Sequence, residues 1–324
     1  MSTMRALVDG FRGLLRNPGL IVLVLVLNAA VALVAALPVA SLLWQDLSHT
    51  GASTRMMYGF DYDWWSRFDH QAKGLAGDLA PDLLGTGFLW RNLDLLLRGA
   101  VPAGLFSGFT GTGAVVLGLA ALYWLLQVFL SGGLLALFRA PAGGWTFRGL
   151  VHACGFHFAR LLRIALLAVA VAALLFAAWR PLGSWSDHLA REAVSERAAL
   201  FLIFGRAALL LVALLLLHMV SSYAKVILVC EERRSAVLAM AASLGFCARH
   251  LGAVLAQYLA VGLLGAALVL LFALLDGWLE VSGWKTQLLA LALFEGFLAA
   301  RIALRLGLLA GQVELEQAGE RPRG

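Results

Sequence analysis

Charge is what this chain has least of. Asp, Glu, Lys and Arg make up 14% of its 324 residues, against about 25% in a soluble domain. Hydrophobic residues make up 61%, and the mean hydropathy is +0.86. A water-soluble globule is excluded, because bulk lipid must solvate much of this surface. Cysteine is nearly absent. Cys154, Cys230 and Cys247 are the three present. All fall in segments read as spanning or cytoplasmic, so no disulfide framework is expected. The first apolar run is too long for a cleavable signal, and no clean small-x-small site follows it. Catalytic motifs are missing too. There is no Walker A loop, Rossmann glycine motif, H-E-x-x-H or nucleophile elbow. Signatures of lipid-phosphate phosphatases and headgroup transferases are equally absent. These gaps point away from an enzyme, and no cofactor is implied.

What the chain does have is long apolar runs. A span needs about 20 apolar residues. Six segments qualify, at about 20–43, 113–138, 158–179, 199–225, 251–275 and 287–310. The expected fold class is all-α: a polytopic membrane protein, 1–324 as one membrane domain, with six transmembrane helices in three hairpins. The formal net charge of +6 would suggest nucleic acid in a soluble protein. Here the positive-inside rule accounts for it, so no nucleic acid is read as a partner. Arg5, Arg12 and Arg16 face one acid, Asp9. Arg139, Arg148, Arg160 and Arg163 face none. Arg233, Arg234 and Arg249 face Glu231 and Glu232. All three basic segments fall on one side. Both termini are therefore expected in the cytoplasm, with the chain in the inner membrane of a bacterium. The outer loop, 44–112, carries seven Asp against five basic residues over 44–98. Its segments 59–70 and 88–98 read as short helices on the outer leaflet. Its Gly-rich run 99–113 is too short to span.

A Gly-Phe-Arg pattern precedes each hairpin, at 10–16, 155–163 and 245–251. In the first copy Met4, Leu7, Val8, Phe11, Leu14 and Leu15 share one helical face. The expectation is three interfacial helices on the cytoplasmic surface, with Arg snorkelling to headgroups. They serve either as elbows coupling cytoplasmic contacts to the spans or as plain anchors, the more economical reading.

The candidate site residues are polar groups inside the spans: Arg206, Glu295, Arg301, Gln257 and His218. Gln127 belongs with the last two as a residue that helix packing alone could satisfy. Intramembrane charge is costly, and is by default paired or functional. Arg206 and Glu295 each lie about eight residues from the outer end of their spans, at about 12 Å depth. Equal depth and opposite sign suggest that they pair across spans four and six. Arg305 is one turn beyond Arg301 and can snorkel inward. Arg301 and Glu295 are six residues apart, about 240° round the helix, which turns them to different faces. No metal site is read. His152 and His157 are about 140° apart on a helix. That argues against a site made of them with Cys154, Cys247 and His250. Asp61, Asp63, Asp69 and His70 form a loop cluster more apt to cap or solvate than to supply six oxygens to a cation.

Ser131-Gly132-Gly133-Leu134-Leu135 and YAKVILVCEERRSAVLAM at 223–240, followed by GFCARHL at 245–251, resemble a loose group of bacterial six-helix membrane proteins. That group includes the membrane portion of some glycerophosphodiester phosphodiesterases. The resemblance implies a six-helix membrane fold and carries no catalytic residues. The first expectation for function is a non-enzymatic inner-membrane subunit that scaffolds, assembles or regulates a larger complex. Its partners would be membrane lipids and other membrane subunits. The alternative is a transporter or lipid-handling protein with a polar cleft near Arg206, Glu295 and Arg301.

Overall fold

The structure, a computed structural model, describes residues 3–56, 61–72, 112–139, 146–192, 195–279 and 283–320. Among these residues there are ten helices and no strand. They are α1 (Thr3–Leu15), α2 (Gly19–Thr50), α3 (Ala52–Met56), α4 (Tyr62–Gln71), α5 (Thr112–Arg139), α6 (Phe147–Glu192), α7 (Glu196–Cys230), α8 (Ala236–Arg249), α9 (Leu251–Trp278) and α10 (Trp284–Glu320). Five are long and apolar enough to cross a membrane, or six if α1 and α2 count as one broken span. Every expected span lies inside one helix.

Local sequence sets the boundaries. Asn17-Pro18 separates α1 from α2, since proline cannot continue the preceding helix. α2 ends at Gly51, whose φ of 62° is the left-handed conformation glycine adopts without penalty. Ser195 caps α7 and Ser235 caps α8, each accepting a backbone N–H three residues on. The caps satisfy donors a helix start leaves open.

Two expectations are corrected. α2 runs on to Thr50 rather than stopping at 43. The second Gly-Phe copy is not a separate helix, because it lies within the 46-residue α6 together with the span after it. Residues 156–179 hold neither Gly nor Pro, and they are rich in Ala, Leu and Arg, which favour a helix. α6 even continues through Pro181. Ser184 donates to the Pro181 carbonyl at 3.0 Å, and Arg206 donates to the Gly183 carbonyl at 2.9 Å. The first and third copies do end at breaks, Asn17-Pro18 and His250.

The chain divides into two compact units. One comprises Met1–Arg16, Leu125–Ala260 and Gly307–Gly324; the other comprises Asn17–Trp124 and Val261–Leu306.

In the first unit, α1 lies backbone to backbone against α10. A Cβ on Gly10 would sit 2.6 Å from the Gly311 nitrogen, and a Cβ on Gly307 would collide with the Phe11 ring. Gly307 and Gly311 are four apart, so both fall on the α10 face that α1 meets. Small residues at that spacing let helices approach closely. Gly133 does the same for α5, where a Cβ would be 2.8 Å from the Leu150 carbonyl of α6. The three Gly-Phe copies therefore do different things. Gly10-Phe11 interlocks with α10, Gly155 has open space and Phe156 is exposed, and Phe246 packs on Tyr223 and His250.

In the second unit, α3 and α4 fold onto the end of α2 around Ala52, Trp64 and Phe68, with Leu43 and Leu47 packed alongside. Trp64 donates its indole N–H to Asp46 at 2.6 Å and stacks on Phe68 at 5.2 Å. Tyr62, Trp278 and Trp284 stand exposed at helix ends, and Trp44 stands exposed in the last two turns of α2, where amphipathic rings suit a membrane–water boundary. Segments 88–98 and 99–113 lie outside the described residues except for Thr112 and Gly113.

Candidate functional site

The five candidate residues separate into two environments. In the first unit Gln257 and Arg206 are engaged in helix packing. Gln257, 1% exposed, accepts from the Tyr223 hydroxyl at 2.9 Å and donates to the Gly311 carbonyl at 2.9 Å. Beside it, Ser222 donates to Gln312 at 2.8 Å, and Gln312 donates to the Tyr258 hydroxyl at 3.1 Å. Consecutive residues from three helices, 222–223 of α7, 257–258 of α9 and 311–312 of α10, thus form a two-rung polar ladder. A half-made buried network would be costly, whereas this one pairs donors with acceptors across three helices. His218 is exposed on α7 and meets Tyr258 edge-on at 5.9 Å.

Arg206 does not take the carboxylate expected of it. It pairs with Asp187 of α6 at 2.8 Å, donates to the Gly183 carbonyl, and lies 5.4 Å over the Trp179 ring. Continuation of α6 past Pro181 is the cause, because it carries Asp187 alongside α7. The sequence reading had left Asp187 in a connecting loop. Glu295 belongs to the second unit.

There the environment is different. A cavity of about 650 Å³ opens between α2 and α10, with Tyr123 of α5 on its rim. α2 contributes Leu25, Asn28, Ala29, Ala32, Leu33 and Ala36. The spacing i, i+3, i+4, i+7, i+8, i+11 is one helical stripe. Its three alanines leave the volume that larger residues would fill. α10 contributes Phe294, Glu295, Leu298, Arg301, Ile302 and Arg305. At about 100° per residue these cover an arc of about 120°, with Arg301 at one edge and Glu295 at the other. The two were expected on different faces, but the cavity is wide enough to take both edges. Arg305, expected to snorkel away, shares the same wall.

Arg301 rests on an aromatic stack. Its guanidinium lies 5.5 Å over the Phe297 ring, and Phe297 stacks on Phe272 of α9 at 4.4 Å. Both rings are buried. Among the described residues, none of Glu295, Arg301 and Arg305 forms an ion pair. An apolar cleft with a few convergent polar groups is the ordinary form of a ligand site. Sequence reasoning missed Asn28 and Tyr123. Asn28 was legible, as a carboxamide in an otherwise apolar run.

In the loop cluster, Asp61 has a structural role. Asp61 caps α4 by accepting the Trp64 N–H at 3.0 Å and pairs with Arg55 at 2.6 Å. The Trp64 N–H and then Arg55 hold its carboxyl below the usual range. Among the described residues no three His, Cys, Asp or Glu side chains converge as metal ligands would. Cys154 instead sits under Gly133, with its thiol 4.0 Å from the Leu130 carbonyl.

No protein-family model, curated protein or solved structure matches the chain. The resemblance drawn from 131–135 and 223–251 stays an expectation.

Proposed function

We propose that this is a non-enzymatic, lipid-handling protein of the bacterial inner membrane, with six spans and cytoplasmic termini, and that the cleft between α2 and α10 binds a phosphate-bearing amphiphile. One observation carries the reading. Glu295, Arg301 and Arg305 line a cavity on a membrane-spanning helix with no ion pair among the described residues. A charge near the centre of a span costs about 2.5–3.5 kcal/mol on insertion scales. Charges that no described residue pairs, at that cost, are explained by a ligand that compensates them. The guanidinium groups of Arg301 and Arg305 suit phosphate, and the Leu25, Leu33, Phe294 and Ile302 surfaces suit an acyl chain.

The test is binding of a short-chain phospholipid to the purified protein in detergent. Arg301→Gln with Arg305→Gln should weaken it about a hundredfold, the loss of two charge-assisted contacts. Unchanged binding would sink the reading. Topology has its own test. A cysteine at Ser53 should label with a membrane-impermeant thiol reagent in intact cells, and one at Ser2 should not. The reverse pattern would overturn the orientation.

A second reading, a subunit that scaffolds a larger membrane complex, draws on the first unit. There Gln257 and Arg206 bridge neighbouring helices. A pull-down in mild detergent that recovers a stoichiometric membrane partner, with no lipid dependence on Arg301, would favour it.

A further inference from the structure

Taking the cleft reading as given, we infer that its ligand is a phospholipid whose headgroup carries both a phosphate and a primary ammonium. The phosphate meets Arg301 and Arg305, and the ammonium meets Glu295. The cleft wall is not uniformly basic. It presents two cations and one anion along the same stripe of α10. Arg301 and Arg305 are one turn apart, about 6 Å along the axis. Two guanidinium groups at that spacing can grip one phosphate from two sides, and the planar fork of Arg matches phosphate oxygens. The Arg301 guanidinium already rests 5.5 Å from the centre of the Phe297 ring, which stacks on Phe272, and a contact made before binding reduces the order lost on binding.

Glu295 decides the ligand class. It stands about 9 Å up the axis from Arg301, at the opposite edge of the stripe. A purely anionic headgroup, or free phosphate, would leave this carboxylate uncompensated and would be repelled by it. An aminoalkyl phosphate carries its ammonium a short arm away from its phosphorus. It can satisfy all three charges at once, with the side chains closing the remaining distance. The alanines at 29, 32 and 36 provide the room, and Leu33 and Ile302 provide an apolar wall for the chain. Neutralising all three charges at once favours this match over one that leaves a charge unpaired.

Lipid binding to the wild-type protein tests the inference directly. The probes are short-chain phosphatidylethanolamine, its N-trimethylated analogue phosphatidylcholine, and phosphatidylglycerol. The expected order puts phosphatidylethanolamine about tenfold ahead of phosphatidylglycerol, one charge-assisted hydrogen bond apart, with the trimethylated lipid between them. Glu295→Gln should weaken phosphatidylethanolamine about tenfold and leave phosphatidylglycerol unchanged or tighter. Free phosphoethanolamine should compete at least roughly a hundredfold more weakly than the lipid, because it buries no chain. If phosphatidylglycerol binds as well or better and still needs Arg301, the ammonium assignment falls and the cleft reading stands. If no lipid depends on Arg301, both fall. Free phosphoethanolamine matching the lipid would make the ligand a soluble zwitterion and overturn the lipid assignment. Should Glu295→Gln fail to fold, the wild-type ranking decides the matter alone.

Discussion

Gln257 and Arg301 are both polar residues in apolar helices, yet the fold treats them differently. Gln257 has a tyrosine hydroxyl on one side and a backbone carbonyl on the other, both within 2.9 Å. Arg301 has a ring beneath it and a cavity in front of it. The same contrast holds between Arg206, paired with Asp187, and Glu295, which has no ion pair among the described residues. In one unit the Gln257 ladder and the Arg206–Asp187 pair tie helices together. In the other polarity stands open beside small alanines. A buried polar group with protein partners is a structural device, and a charged group lining an open cleft is a binding device.

That contrast can be broken by substitution. Gln257→Leu should have the largest effect on stability. It strands the Tyr223 hydroxyl and the Gly311 carbonyl, and each orphaned buried group costs roughly 1–3 kcal/mol. Melting of the purified protein in detergent would show it, and an unshifted transition would mean the ladder is not structural. Next comes Gly307→Leu, which drives a side chain into Phe11. Overpacking costs about 1–3 kcal/mol, while Gly13→Leu, facing open space, should change stability little. Asp187→Asn follows. It weakens a pair whose two side chains are 18% and 48% exposed. Solvent screening reduces the loss to about 1 kcal/mol. Smallest is Asp61→Asn, which should fray α4 without unfolding the rest. The folded-state pKa of Asp61 lies below its unfolded value. Its contribution is therefore present above the unfolded value and is lost as pH falls through the folded one. The α4 amides should show faster hydrogen exchange in that acidic window, and wild-type protection unchanged there would contradict the cap.

Most of the architecture was legible because apolar run length is a strong signal. Each expected span falls within one helix, and the helix start at Ser195 is readable as a cap. What failed did so for identifiable reasons. Residues 147–163 look like a separate amphipathic helix because the periodicity of Phe147, Leu150, Val151 and Cys154 is real. Periodicity does not say where a helix ends, and only a breaker would have ended it. The Arg206 partner was misassigned because span three was ended before Arg180-Pro181, which left Asp187 in the link between spans. Helix continuation through Pro181 brought in Asp187, which is invisible when proline is taken as a stop. The cleft was half legible. Glu295 and Arg301 stood out as intramembrane charges, but the alanines of α2 that create the space carry no signal until the facing helix is known.

The most direct measurement is Arg301→Leu, read in two ways on the same preparation: thermal stability in detergent, and binding of a short-chain phosphatidylethanolamine. If the cleft charges exist for a ligand, apolar replacement leaves apo stability unchanged or raises it, because an uncompensated charge has been removed. Lipid binding then falls by about tenfold or more. If Arg301 is instead a structural partner like Gln257 or Arg206, the variant loses several degrees of melting temperature while lipid binding by the folded fraction stays as it was. That outcome would contradict the account.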